Sequence, residues 1–327
     1  MNQPQIFYYC YDHQNPTGGQ KRTYKHVAIL NRNGFPAFAW HREPGYRLQW
    51  FENQIPVVDA EGFERRFDKD RDFLVLPEDL GWDILSYPGK KVIFNKNLYY
   101  GFNCFGGDVA TCYPYTHSDV VGAMVVSDHN LRHLRFAFPQ TEIIKVDTEI
   151  DSTVFRWAPL SKKKKLVTAT GKSPRHLRII YQLINARSRA GLNNANEYEW
   201  ELLRGRTEAE AANLFQNSLL FLFFNADEGL SRMPIEAMMS GCLVAGFQPG
   251  ALKDVPPMTF HCDYGEYMQL VEFIEQVMFL FPQQDKSWEQ SAENGRRLAL
   301  EYSAAREEES VLRAWDHFFR IGARRAA

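Results

Sequence analysis

The sequence lacks a cysteine framework. Its five cysteines (Cys10, Cys104, Cys112, Cys242 and Cys262) are odd in number, widely scattered and never spaced C-x-x-C. That excludes a disulfide scaffold and a zinc-ribbon site, and it fits a reducing compartment. No apolar run approaches the roughly 20 residues needed to cross a bilayer. The first residues, Met-Asn-Gln-Pro-Gln, carry no basic stretch ahead of an apolar core, so no secretory signal is visible. The expectation is a cytoplasmic protein, with contact at the inner face of the cytoplasmic membrane left open. Charge of one sign is also missing: the formal net charge of -2 gives no reason to expect a nucleic-acid partner. Internal repeats and low-complexity segments are absent as well.

What remains is an ordinary globular composition, 45% hydrophobic and 24% charged, over 327 residues. That length exceeds one ordinary core and suits two domains of roughly 150 residues each. Apolar runs alternate with helical spacing throughout. Strand candidates are Ile6–Cys10, Pro36–Trp40, Ile55–Val58, Phe73–Leu76, Lys91–Asn95, Gly122–Ser127 and Glu142–Val146, with helices at Lys21–Asn33 and Asp128–Phe136. Residues 59–72 read as a charged surface connection. A linker is expected between Asp147 and Ser161, with the Lys162–Lys165 run read as solvated or, alternatively, as facing an anionic membrane.

The second half repeats the βα rhythm. Leu166–Ala169 is a strand, Pro174 opens a helix with Leu177, Ile180, Leu183 and Ile184 on one side, and Tyr198–Leu203 alternates as a strand should. Thr207-Glu-Ala-Glu210 has the form of a capping box. Leu219–Phe224 is apolar enough to be a strand buried on both faces. Amphipathic helices follow at Leu270–Phe281, Trp288–Tyr302 and Ala305–Ile321.

The stretch Glu228-Gly-Leu-Ser-Arg-Met-Pro-Ile-Glu236 joins that buried strand to a helix ending at Gly241, with a further strand from Leu243. Glu228 therefore falls where a strand's carboxyl end opens into a loop, the edge at which open α/β sheets bind ligands. The amides of Gly229 and Leu230, leading into a helix N-terminus, suit a phosphate. Carboxylates are acceptor-only groups that hold hydroxyls well. Amides for a diphosphate with one Glu for a hexose and another for a ribose is the arrangement that a nucleotide sugar requires.

Two Glu residues separated by seven others, followed by Ala-Met and a small-Gly-Cys turn before an apolar strand, resemble the signature of retaining GT-B glycosyltransferases, family 4 in particular. The resemblance extends over about residues 165–325 and is faint but orderly over 1–150. Ser231, Arg232 and Met233 depart from the family's Gly, Leu and Pro. The resemblance implies a GT-B fold: two Rossmann-like βαβ domains facing each other across a cleft, with a terminal helix crossing back to the first. The expected division is 1–155 plus 305–327 on the acceptor side and 156–304 for the nucleotide sugar. In this family a basic loop pair neutralises the donor diphosphate. Lys172 in Thr170-Gly-Lys-Ser-Pro174 matches one member, while Gly171 replaces the other; Arg175 is a candidate substitute.

On the first domain, Gly18 and Gly19 correspond to a Gly-Gly loop facing the donor, although a Gly pair also serves ordinary turns. Lys21 is placed to reach the diphosphate. Asn97 lies in Lys96-Asn-Leu-Tyr-Tyr100, which resembles a family segment, and it can equally be a helix start. The aromatic segment from Phe105 to His117 suits an acceptor-side loop.

These residues together imply a transferase that moves a sugar from a nucleotide-sugar donor to a hydroxyl of a glycan or glycolipid, with retention. Glu228 and Lys172 are the expected catalytic residues. Gly18, Gly19, Lys21, Asn97, Gly229, Leu230, Arg232 and Glu236 are the expected binding residues. No metal and no other cofactor are expected, because no D-x-D loop stands where a metal-dependent GT-A enzyme carries one. The alternative is a GT-B module that binds a saccharide or supports a partner enzyme without turnover.

Overall fold

A computed structural model describes residues 3–106, 112–172, 174–225, 227–247, 250, 258–283 and 286–326. The chain divides into two compact units, Met1–Thr148 with Ala305–Ala327, and Glu149–Ala304. Each has its own parallel sheet.

The first unit runs β1 (Ile6–Tyr9), α1 (Gly18–Arg32), β2 (Ala37–Trp40), β3 (Val57–Val58), α2 (Ala60–Arg66), β4 (Phe73–Pro77), β5 (Lys90–Asn95), α3 (Leu98–Asn103), β6 (Val120–Val125), α4 (Asp128–Ala137) and β7 (Ile143–Lys145). Its seven strands are ordered β3-β2-β1-β4-β5-β6-β7, all parallel. The central strands are buried end to end because helices cover both faces, which is why they read as continuous apolar runs rather than alternating ones. The chain reverses direction across the sheet between β1 and β4. In open α/β sheets, ligands bind outside the carboxyl ends of the strands at such a reversal.

The second unit runs β8 (Lys164–Thr170), α5 (Pro174–Arg189), β9 (Glu199–Leu203), α6 (Glu208–Asn217), β10 (Ser218–Phe223), α7 (Arg232–Met239), β11 (Leu243–Phe247), β12 (Phe260–Cys262), α8 (Tyr267–Leu280) and α9 (Lys286–Ala299). The order β12-β11-β10-β8-β9 is again parallel throughout and places its reversal between β8 and β10. The capping box at Thr207 and Glu210 starts α6 as the sequence pattern requires. Helix α7 ends at Gly241, whose φ of 87° is a left-handed conformation that closes a helix without strain only in glycine.

The last helix, α10 (Ala304–Ala326), belongs to the first unit. Val311, Ala314, Trp315 and Phe318 are fully buried along one face. The Trp315 indole donates to the Tyr8 hydroxyl at 2.9 Å, so the largest apolar side chain of the helix also satisfies its polar atom.

The structure departs from the sequence reading at definite points. Residues 59–72 contain α2, because Asp59 caps Gly62 and Phe63 packs inward. The 155/156 boundary falls at 148/149 in the structure: Ile150 bonds to Tyr302, and Phe155 is buried in the second unit's core. Leu183 is 37% exposed rather than on the packed side of α5. The lysine run is not a solvated block. Lys163 is buried and donates to the carbonyls of Phe215 (2.8 Å) and Ser240 (2.7 Å), closing the ends of α6 and α7, while Lys165 pairs with Glu197 from within β8. The strand β12 carries no signal strong enough to have been read.

Candidate functional site

In the second unit, the loops after β8 and β10 leave the sheet at its reversal point, and each delivers one charged side chain. Lys172 Nζ lies 2.6 Å from Glu228 Oε1 across 56 residues of sequence. Asn225, at the end of β10, donates to the same oxygen at 2.7 Å. Both donors use Oε1, so neither of them engages Oε2. The pair is unequal in exposure: Lys172 is 56% accessible and Glu228 15%. An ion pair with one partner so open contributes about 0–1 kcal/mol. An arriving anion can therefore take the lysine at small cost.

Glu228 leads through the buried Gly229 and half-buried Leu230 to α7, which begins at Arg232 with Ser231 as its cap. The Ser231 hydroxyl makes no capping bond, although the residue is 2% exposed. Its Oγ and the Arg232 Nε are buried polar atoms with no partner among the described residues. Leaving such an atom unmade costs about 1–3 kcal/mol. Both lie at the start of α7, where free backbone amides and the helix dipole favour an anion. Arg232 also lies 3.0 Å from Glu236 one turn on, so these two predicted binding residues hold each other.

The glycine at 171 has a local cause. A Cβ there would stand 2.8 Å from Arg204 Cβ and 3.0 Å from the Leu203 carbonyl, because the end of β9 crosses at close range. The same approach brings Arg204 to the Lys172 loop. Arg204 is exposed at the carboxyl end of β9 and was missed by sequence reasoning. The available signal was a basic residue closing an alternating strand ahead of Gly205. Asn225 was missed for a similar reason, being a single polar residue at the end of an aromatic run.

Of the predicted residues of the first unit, Gly18, Gly19 and Lys21 follow β1, beside its own reversal point, and Asn97 follows β5. Gly18 and Gly19 are not loop residues: they form the first turn of α1, which Thr17 caps by accepting from Gln20 at 3.2 Å. The side chain of Lys96 lies against Gly19, since a Cβ there would be 3.4 Å from Lys96 Cδ. Lys21 turns its ammonium over the Phe51 ring at 5.9 Å. Asn97 caps α3, accepting from Tyr99 at 2.9 Å and Tyr100 at 3.3 Å, so the helix-start alternative describes its carboxamide oxygen. His117 accepts from the Asp119 amide at 3.2 Å. Of the aromatic segment predicted to face an acceptor, residues 107–111 lie outside the described residues.

Glu78, at the end of β4, is the residue that sequence reasoning overlooked here. It is 3% exposed, its Oε1 accepts from the Asn97 amide at 2.6 Å, and its Oε2 has no partner among the described residues. Burial pushes its carboxyl up to about 7, against the opposing pull of Lys96. Among the described residues no group of three or more His, Cys, Asp or Glu side chains is placed to hold a metal ion. None of the described helices is long and apolar enough to cross a membrane.

No family profile matches the chain, and no curated protein matches its sequence. Solved structures do match. Sucrose-phosphate synthase from Thermosynechococcus elongatus superposes with a TM-score of 0.67 at 11% identity, covering 97% of this chain and 100% of that one. A glycosyltransferase from Rickettsia africae gives 0.64 at 12% identity over 98% and 99%. The Anabaena protein HepE, in complex with UDP-glucose, gives 0.61 at 12% identity over 95% and 99%. The architecture is that of the GT-B glycosyltransferases: two α/β units, with parallel sheets of seven and five strands.

Proposed function

We propose that the chain is a glycosyltransferase that moves a sugar from a nucleotide-sugar donor to a hydroxyl of a glycan or glycolipid acceptor, with retention and without a metal ion. The observation that carries this reading is the Lys172–Glu228 pair at the reversal point of the second sheet, beside an α7 N-terminus with unsatisfied polar atoms. The fold shared with HepE, which was solved with UDP-glucose, supports it.

Breaking the bond between the sugar's anomeric carbon and the diphosphate leaves an electron-poor carbon and an electron-rich leaving group. Positive groups aimed at that leaving group lower the barrier most, because its charge grows in the transition state. Lys172, the α7 amides and the neighbouring Arg204 are the candidates. Once the diphosphate takes Lys172, Glu228 retains its Asn225 donor and can accept from the sugar's hydroxyls, which fixes the sugar's orientation. Glu236, steadied by Arg232, is assigned to the ribose. The acceptor hydroxyl gives up its proton to the departing phosphate, so no separate base is required.

A thermal-shift screen of the whole chain against UDP-, GDP-, ADP- and dTDP-sugars tests the donor half. A ligand at a hundred times its Kd stabilises the native state by about 2.7 kcal/mol. One nucleotide series should raise the melting temperature, and Lys172→Ala should remove the rise. A flat response to all four at millimolar concentration would contradict the reading.

A further inference from the structure

The first unit holds a second candidate site that owes nothing to the donor chemistry. Where β3 ends and α2 begins, a cavity of about 320 Å³ opens at the carboxyl edge of the sheet. That volume is at the lower end of the range for small-molecule sites, about 300–1,000 Å³. Its lining includes Tyr46, Arg47, Asp59, Gly62, Arg65 and Arg66. We propose that this cavity binds a phosphate monoester carried on a sugar-sized, hydroxyl-bearing body.

The charges favour an anion. Three arginines and one carboxylate line the cavity, and with Glu61, the ion-pair partner of Arg65, counted there is a surplus of one positive charge. A phosphate monoester carries about -1.5 to -2 at neutral pH, and guanidinium forks match its oxygens better than any other side chain. The three arginines are held without being spent. Arg47 is fixed by donating to Asn53 at 2.7 Å and the Ile55 carbonyl at 2.9 Å, which uses two of its five donors. The Arg66 guanidinium lies 5.5 Å over the Phe38 ring, an attraction that uses no N–H. Arg65 pairs with Glu61 at 3.2 Å, but both side chains are at least 70% exposed, and such a pair is readily exchanged.

One further atom suits the hydroxyl-bearing part. Asp59 accepts from the Gly62 amide through Oδ1 alone, so its other oxygen can take a hydroxyl. A bare apolar hollow would show none of these features.

The test is calorimetric titration of the full chain with glucose 6-phosphate, glucose and inorganic phosphate as probes. Glucose 6-phosphate should bind about tenfold or more tightly than either fragment, since each lacks half of the contacts. The double variant Arg65→Gln/Arg66→Gln, altered only at exposed positions, should lose about tenfold or more in affinity. Lys172→Ala should leave it unchanged, which separates this cavity from the nucleotide-sugar reading. The proposal is overturned if the double variant binds as the parent does, if Lys172→Ala abolishes binding, or if inorganic phosphate alone binds equally well.

Discussion

Replacing Glu78 by Gln should stabilise the protein at alkaline pH and do little in acid. The side chain is 3% exposed, and burial raises its carboxyl from an ordinary 4.5 to about 7. Between those values the unfolded chain has lost a proton that the folded chain keeps, so stability falls as pH rises through the window. Above the folded value the loss is complete. A shift of that size corresponds to about 3 kcal/mol at 1.36 kcal/mol per unit. Gln keeps the shape and an oxygen that can accept from the Asn97 amide, but it has no charge to bury. Urea denaturation at pH 4 should then give nearly equal stabilities for parent and variant. At pH 8 the variant should be ahead by about 1–3 kcal/mol, or roughly 2–4 °C per kcal/mol in melting temperature for a unit of this size. A stability difference that is the same at both pH values would refute the reasoning. It would mean that Glu78 binds its proton equally well in the folded and the unfolded chain, the pull of Lys96 balancing burial.

Lys163→Met should lower the unfolding free energy of the second unit by about 2 kcal/mol, because the carbonyls of Phe215 and Ser240 lose a charged donor in a buried place; chemical denaturation reads this directly. Trp315→Ala should cost the first unit about 3–5 kcal/mol, since the fully buried indole leaves a cavity and the Tyr8 hydroxyl loses its donor. Hydrogen exchange should localise that loss to β1 and α10, and protection unchanged in both would argue against the terminal helix as part of this core.

The strands and helices were legible because each element obeyed one rule locally. The buried parallel strands announce themselves as apolar runs, and the capping box at Thr207 marks its helix outright. The site was legible where topology alone decides position. Lys172 and Glu228 each follow a strand, and a reversed strand order brings two such loops together. What sequence could not carry depends on contacts between distant segments. Glu78 and Asp79 look like two surface acids until β5 and α3 close over one of them. Lys163 looks like its solvated neighbours until two helix ends converge on it. Gly171 reads as a lost arginine, whereas the passage of β9 leaves no room for a side chain and brings Arg204 instead.

The central claim is that Lys172 and Glu228 act on a nucleotide sugar rather than merely on each other. Its most direct measurement is release of nucleoside diphosphate from whichever nucleotide sugar the binding screen selects, for the parent, Glu228→Gln and Lys172→Ala. Turnover by the parent with a loss of about a hundredfold or more in kcat/KM for each variant is the predicted result, the scale expected when a group that stabilises the transition state is removed. Turnover undiminished in both variants would contradict the account, and so would a parent that binds the nucleotide sugar and never releases its diphosphate.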